Sequence, residues 1–255
     1  MTRSKASQIV WHDLFTPDRA RSMAFYERVA GWDYLVERAT DFAWGGGEKD
    51  FVLALAGDEA GAGFAETPPN EEDGWIAYLE VRNVDAAVER VGALGGAILR
   101  QPFDVPGVGR NALVRDPLGA RLGLSLSRHD FPTPRGQFGP EIYLSRGDAF
   151  PEAFYAELFG WREAPGQGAA HRASLGPSGD LVAVSSTAPW LGEPGAAWVP
   201  RLTVASVAEA CRAAEASGGR RTGEDAGQTG AAPFTLLTDP TGTPFALSAR
   251  RTRPD

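Results

Sequence analysis

The sequence predicts an α+β protein built from tandem βαβββ modules. Three observations carry this: a nonapeptide that returns at a fixed offset, aspartate-proline turns that return with it, and a strand, helix, three-strand order that recurs inside each copy. Ala24-Phe25-Tyr26-Glu27-Arg28-Val29-Ala30-Gly31-Trp32 reappears as Ala153-Phe154-Tyr155-Ala156-Glu157-Leu158-Phe159-Gly160-Trp161, with Ala, Phe, Tyr, Gly and Trp in register at an offset of 129 residues. Trp75 then returns as Trp198, and Asp116-Pro117-Leu118-Gly119 as Asp239-Pro240-Thr241-Gly242, both at an offset of 123. The second copy is therefore shorter by about one six-residue deletion.

Each element has a local reason. Ile9 to Phe15 reads as a strand, and Asp18 to Ala30 as a helix with Ala20, Met23, Ala24 and Val29 at helical spacing and Gly31 as its stop. Runs of strand formers follow at Tyr34 to Arg38, Asp41 to Trp44 and Phe51 to Ala56, the last two split by Gly45-Gly46-Gly47. The next unit opens with a strand at Ile76 to Val81 and a helix at Val84 to Leu94, closed by Gly95-Gly96. Strands near Ile98 to Pro102, Asn111 to Arg115 and Arg121 to Ser127 complete it. Asp-Pro-x-Gly between the last two is a hairpin turn, since proline pre-sets φ and glycine accepts the positive φ that follows. The second copy repeats the plan around helices at Pro151 to Phe159 and Val207 to Ser217. Gly57 to Asp73 and Thr222 to Ala232 read as mobile loops that could cover a cavity mouth.

Composition narrows the function classes. Thirty-three acidic against 25 basic residues give a net charge of −8, so counterion release gives no drive toward a phosphate backbone and nucleic acid is not an expected partner. The single cysteine, Cys211, cannot close an intramolecular disulfide, which fits a reducing cytoplasm. The apolar run near the N-terminus stops at His12 and Asp13, too short for a signal core or a membrane span. The glycine triplet precedes a strand rather than a helix, so it lacks the geometry of a phosphate loop. His12, His129 and His171 show no nucleophile pattern with a serine or cysteine.

Four βαβββ units, a Phe-Tyr helix before Gly-Trp, and Asp-Pro-x-Gly hairpins resemble the vicinal oxygen chelate superfamily, the group of glyoxalase I, the extradiol dioxygenases and the bleomycin resistance proteins. The run Trp11-His12-Asp13-Leu14-Phe15-Thr16-Pro17-Asp18 is similar to two-domain bacterial glyoxalase-like proteins. The resemblance implies two glyoxalase-like domains, residues 8–127 and 138–250, joined by a linker over 128–137. In each, the strands would curl into an incomplete barrel whose concave face holds a ligand or a metal.

Enzymes of that family hold a divalent ion through four His, Gln or Glu side chains, donors suited to hard or borderline ions. The matching positions here lack them. Where the family pattern runs DPxGxxxE, Asp116 leads to Gly123 and Asp239 to Ala246. The position before the second helix falls on Trp75 or Ile76, and on Trp198 or Val199. The fourth-strand position falls on Ala54 and Ala183, and the first-strand position on Trp11 and Pro140. His12, one residue on, is expected to point away as a partly exposed polar residue. No metal and no cofactor are therefore expected.

Strand alternation selects inward candidates. Asp13 and Phe15 share a face with Trp11, and Tyr78 and Glu80 share one with Ile76. Arg110 stands close enough in sequence to reach in. In the second copy the candidates are Glu141, Tyr143, Arg201 and Thr203, with Arg201 suited to an anionic group. Polar groups on an aromatic concave face would fix a small organic ligand; for Trp11 and Trp75 the competing reading is plain packing. The leading expectation is a small-molecule binding protein, monomer or homodimer, without membrane or nucleic-acid partners. The alternatives are a metal-dependent lyase, isomerase or dioxygenase using His12, Glu141 or Glu80, and metal-independent acid/base chemistry by Asp13, Glu80 or Glu141.

Overall fold

The computed structural model describes residues 7–39, 49–57, 59–128, 137–147, 149–165, 172–225 and 232–250. The first module runs β1 (Ile9–Thr16), α1 (Arg19–Ala30), β2 (Asp33–Ala39), β3 (Lys49–Ala56) and β4 (Glu59–Glu66). The second runs β5 (Gly74–Glu80), α2 (Val84–Ala93), β6 (Ala97–Val105), β7 (Gly109–Arg115) and β8 (Arg121–Ser127). The third comprises β9 (Glu141–Ser145), α3 (Glu152–Phe159), β10 (Arg162–Glu163), β11 (Ala173–Leu175) and β12 (Leu181–Thr187). The fourth begins with β13 (Ala196–Val199) and β14 (Arg201–Val204), then α4 (Val207–Ala216), β15 (Arg220–Asp225), β16 (Phe234–Thr238) and β17 (Pro244–Ala249). Among the described residues no helix is long and apolar enough to cross a membrane.

The helices begin where side chains satisfy their first amides. Asp18 accepts from Arg21 N, Asn83 from Ala86 N and Ser206 from Glu209 N. Gly31 and Gly160 end α1 and α3 at φ values of 69° and 66°, a left-handed conformation that favours glycine.

In the first domain the strands join one eight-stranded sheet in the order β2-β3-β4-β1-β5-β8-β7-β6. Each module closes through a parallel pair, β1 with β4 and β5 with β8, and the modules meet through antiparallel β1 and β5. The second domain repeats this as β10-β11-β12-β9-β13 and β14-β17-β16-β15. Pro200 stands between β13 and β14. Its missing N–H interrupts what is a single strand in the first domain.

Two expectations change. Gly57 to Asp73 is not simply a loop, because β4 occupies Glu59–Glu66 and pairs with both β1 and β3. Its sequence, Glu-Ala-Gly-Ala-Gly-Phe-Ala-Glu, is poor in strand formers, so pairing and burial override local preference. Likewise β15 extends to Asp225, inside the expected Thr222 to Ala232 loop. The expected strand at Asp41 to Trp44, residues 129–136 of the linker and residues 226–231 lie outside the described residues.

The helix-facing cores are shared between domains. Leu14, Phe25, Tyr26 and Trp75 pack with Leu202, Val204, Ala214, Phe245 and Leu247, so α1 meets α4. Val84, Val88 and Val91 pack with Tyr143, Phe154, Tyr155 and Trp198, so α2 meets α3. The opposite faces, those the family resemblance makes concave, carry separate clusters: Phe15, Ala65, Ile76, Tyr78 and Leu113 in the first domain, and Ile142, Leu144, Val184, Val199, Leu236 and Ala246 in the second.

Candidate functional site

On the concave face of the first domain the sheet gathers three of the expected residues. Asp13 is 8 % exposed. The Trp11 indole Nε1 donates to its Oδ1 at 2.8 Å, and the Tyr78 phenol forms a second hydrogen bond. Burial pushes the Asp13 carboxyl up to about 6, and the bonds from Trp11 and Tyr78 and the charge of His12 only partly oppose it. Burial, with the Asp13 charge beside it, also holds the Tyr78 hydroxyl well above its ordinary range, so it remains a donor. Arg100 and Arg121 act on Tyr78 from β6 and β8, and the Arg100 guanidinium lies 3.5 Å from the centre of the Phe103 ring.

Gly63 makes this arrangement possible. A Cβ there would lie 2.4 Å from Asp13 Oδ1 and 2.1 Å from the Phe51 ring. Sequence reading missed Gly63, Phe51 and Arg100. The signal for Gly63 was present as a glycine in an alternating small-residue run, but its pairing with Asp13 is a long-range fact.

The positions equivalent to the family's metal ligands can be placed. Tyr78 pairs with Gly123 on the neighbouring strand, and a Cβ on Gly123 would lie 2.1 Å from the Tyr78 ring. The aromatic ring thus fills the space a glutamate would need. In the second domain Arg201 holds the Tyr78 position, buried and paired with Ala246, and its Nη1 donates to the Ala232 carbonyl. The register moves the counterpart of Ala183 from Ala54 to Ala62, and both turn to the helix-facing cores; Gly63 and Val184 beside them face the concavity without donors. Trp75 and Trp198 also turn to the helix side, donating to the hydroxyls of Tyr26 and Tyr155. Among the described residues no three His, Cys, Asp or Glu side chains converge.

The remaining candidates lie elsewhere. Arg110 does not reach the concavity, because its guanidinium forks Asp85 at the start of α2 and also bonds Asp104. Glu80 is buried at the end of β5, where its carboxylate accepts from Ser127 N and Oγ, beside an open groove of about 700 Å³ between the domains. Tyr143 faces the helix side and donates to Asp116 Oδ2 at 2.7 Å. Glu141 faces the same way and meets His12 across the domain seam, Oε2 to Nε2 at 3.1 Å. His12 is therefore buried rather than partly exposed. Thr203 is partly buried on β14.

Residues 8–124 match the family model described as Glyoxalase/Bleomycin resistance protein/Dioxygenase superfamily, and residues 148–248 match one described as Glyoxalase-like domain. A protein of Mycobacterium tuberculosis named "Putative glyoxylase CFP32" is 30% identical over 247 residues, covering 93% of this chain and 92% of that protein. The anthracycline biosynthesis protein DnrV of Streptomyces peucetius is 33% identical over 135 residues, covering 49% of this chain and 48% of its own. Among solved structures, a mutant of 4-hydroxymandelate synthase from Streptomyces coelicolor aligns with a TM-score of 0.62 at 11% identity, over 99% of this chain and 95% of that one. The Mn(II)-bound glyoxalase from Novosphingobium aromaticivorans aligns with a TM-score of 0.59 at 15% identity, over 96% and 83%. At these identities the structural likeness concerns the fold.

Proposed function

The chain belongs to the glyoxalase/bleomycin resistance protein/dioxygenase superfamily, and on that premise we propose that it binds a small organic molecule on the concave face of its first domain, without a family-type metal. The observation that carries this is the buried Asp13 carboxyl held between the Trp11 indole and the Tyr78 phenol. A carboxyl near pH 6 accepts or donates a hydrogen bond according to the partner it meets. Trp11 and Phe51, both partly exposed, offer apolar area around it. A planar ligand bearing a hydroxyl or carbonyl suits that lining. A relative named for anthracycline biosynthesis is consistent with an aromatic ligand.

The donor chemistry at the metal-equivalent positions does not fit a divalent ion. Gly123 and Ala246 carry no donor, the Tyr78 ring fills one site, and Arg201 brings positive charge to the other. A cation there would face repulsion and too few oxygens to offset its dehydration. The cytoplasm, and pairing of the two domains within one chain in place of dimerisation, complete the reading.

Asp13 also favours a second reading, metal-independent proton transfer on the bound molecule. A desolvated carboxyl near pH 6 suits a general base at neutral pH. Chelator-treated protein would be screened with planar phenols and aryl carbonyls by thermal shift, alongside Asp13→Asn. A saturable shift weakened at least about tenfold by the substitution supports the site. A shift unchanged in Asp13→Asn contradicts it.

A further inference from the structure

Positions 12 and 141 are equivalent in the two copies, so the internal repeat brings His12 and Glu141 to the same place from opposite domains. His12 is 4 % and Glu141 1 % exposed, and their one bond joins Nε2 to Oε2 at 3.1 Å. The other carboxylate oxygen, Oε1, is buried and has no hydrogen-bond partner among the described residues. An oxygen in that state loses its water without replacement, which native proteins rarely tolerate.

Beside it lies a cavity of about 90 Å³, lined by Trp11, His12, Phe138 and Glu141 with the strand starts at Val10 and Gly139. That is room for about three water-sized volumes, too little for an aromatic ligand. Of the seven lining residues, Ile9 included, only His12 and Glu141 are buried, so the cavity reaches the surface end of the seam.

The lining selects its occupant. Oε1 requires a donor whichever tautomer of His12 meets Oε2, and a positively charged donor also offsets the carboxylate. Phe138, stacked on His12 at 4.0 Å, adds aromatic surface that attracts cations. A metal ion would need further side-chain ligands, and among the described residues none join the pair. An ammonium group needs only the carboxylate and the rings.

We propose that this seam cavity binds a primary ammonium group, as the free ion or as the end of a small alkylamine. Bound there, it bridges the two domains and stabilises the seam. The test uses the full chain melted in methylammonium chloride, against sodium chloride and tetramethylammonium chloride at equal ionic strength. The result expected is a saturable rise in melting temperature with methylammonium alone, with half-saturation raised at least about tenfold in Glu141→Gln. Should Glu141→Gln not fold, Phe138→Leu takes its place, and the half-saturation point is expected to rise there as well. An equal rise with sodium or tetramethylammonium overturns the assignment, as does an unchanged response in the folded variant.

Discussion

Asp13 gives the site a pH signature. Its carboxyl sits at about 6 in the fold against an ordinary 3.8, so between those values the folded chain binds more protons than the unfolded one. Stability must then fall as pH rises through that window, and above it a penalty on the order of 3 kcal/mol persists. Asp13→Asn keeps an acceptor for the Trp11 indole and removes the charge. Its melting temperature is expected to exceed that of the unsubstituted protein at pH 8, with the gap closing by pH 4. At Gly123 the expectation is loss: Gly123→Glu drives a side chain into the Tyr78 ring and should destabilise by about 2 kcal/mol or more without conferring ion binding. Titration calorimetry with Mn(II) and a urea melt would check both parts. Alternation along β1 and β5 made Trp11, Asp13 and Tyr78 legible in the sequence. It misfaced Glu141 and Tyr143, because their polar partners, His12 and Asp116, come from the other domain.

The repeated motifs prove to be fastenings between elements. Tyr155 of α3 donates to Asp116, whose other oxygen caps the turn between β7 and β8, and receives a bond from Trp198 at 2.7 Å. Tyr26 of α1 relates to Asp239 and Trp75 in the same way, with a longer Tyr26–Asp239 contact of 3.4 Å. The Tyr, Trp and Asp-Pro-x-Gly signals that revealed the repeat thus hold α1 and α3 each to the other domain's hairpin. Tyr155→Phe leaves the Trp198 indole without its acceptor and Asp116 Oδ2 with Tyr143 alone; because its bonds are shorter than those of Tyr26, it should cost about 1–3 kcal/mol, more than Tyr26→Phe. Denaturant midpoints of the two variants decide the order. Helix bounds were readable because caps and stops are local; β4 was not, since its glycines and alanines become a strand only when β1 and β3 flank them.

Across the whole molecule, the two helix-facing cores each draw on both domains, so neither domain buries its own helices alone. Unfolding should therefore occur in one transition, with tryptophan fluorescence and far-UV circular dichroism coincident in urea; two separated transitions would show that the cores are independent. Tyrosines and tryptophans occupy those cores, while the concave faces hold a desolvated carboxyl in one domain and a buried arginine in the other. This division ties the repeat to assembly, and under the proposed function the departures from it serve ligand recognition. The most direct check of a metal-free concave site is elemental analysis of the purified chain, paired with ligand-induced thermal shift before and after chelation. No stoichiometric ion is expected at the concave face, and the ligand-induced shift should be unchanged by chelation. A tightly held ion whose removal abolishes ligand binding would contradict it.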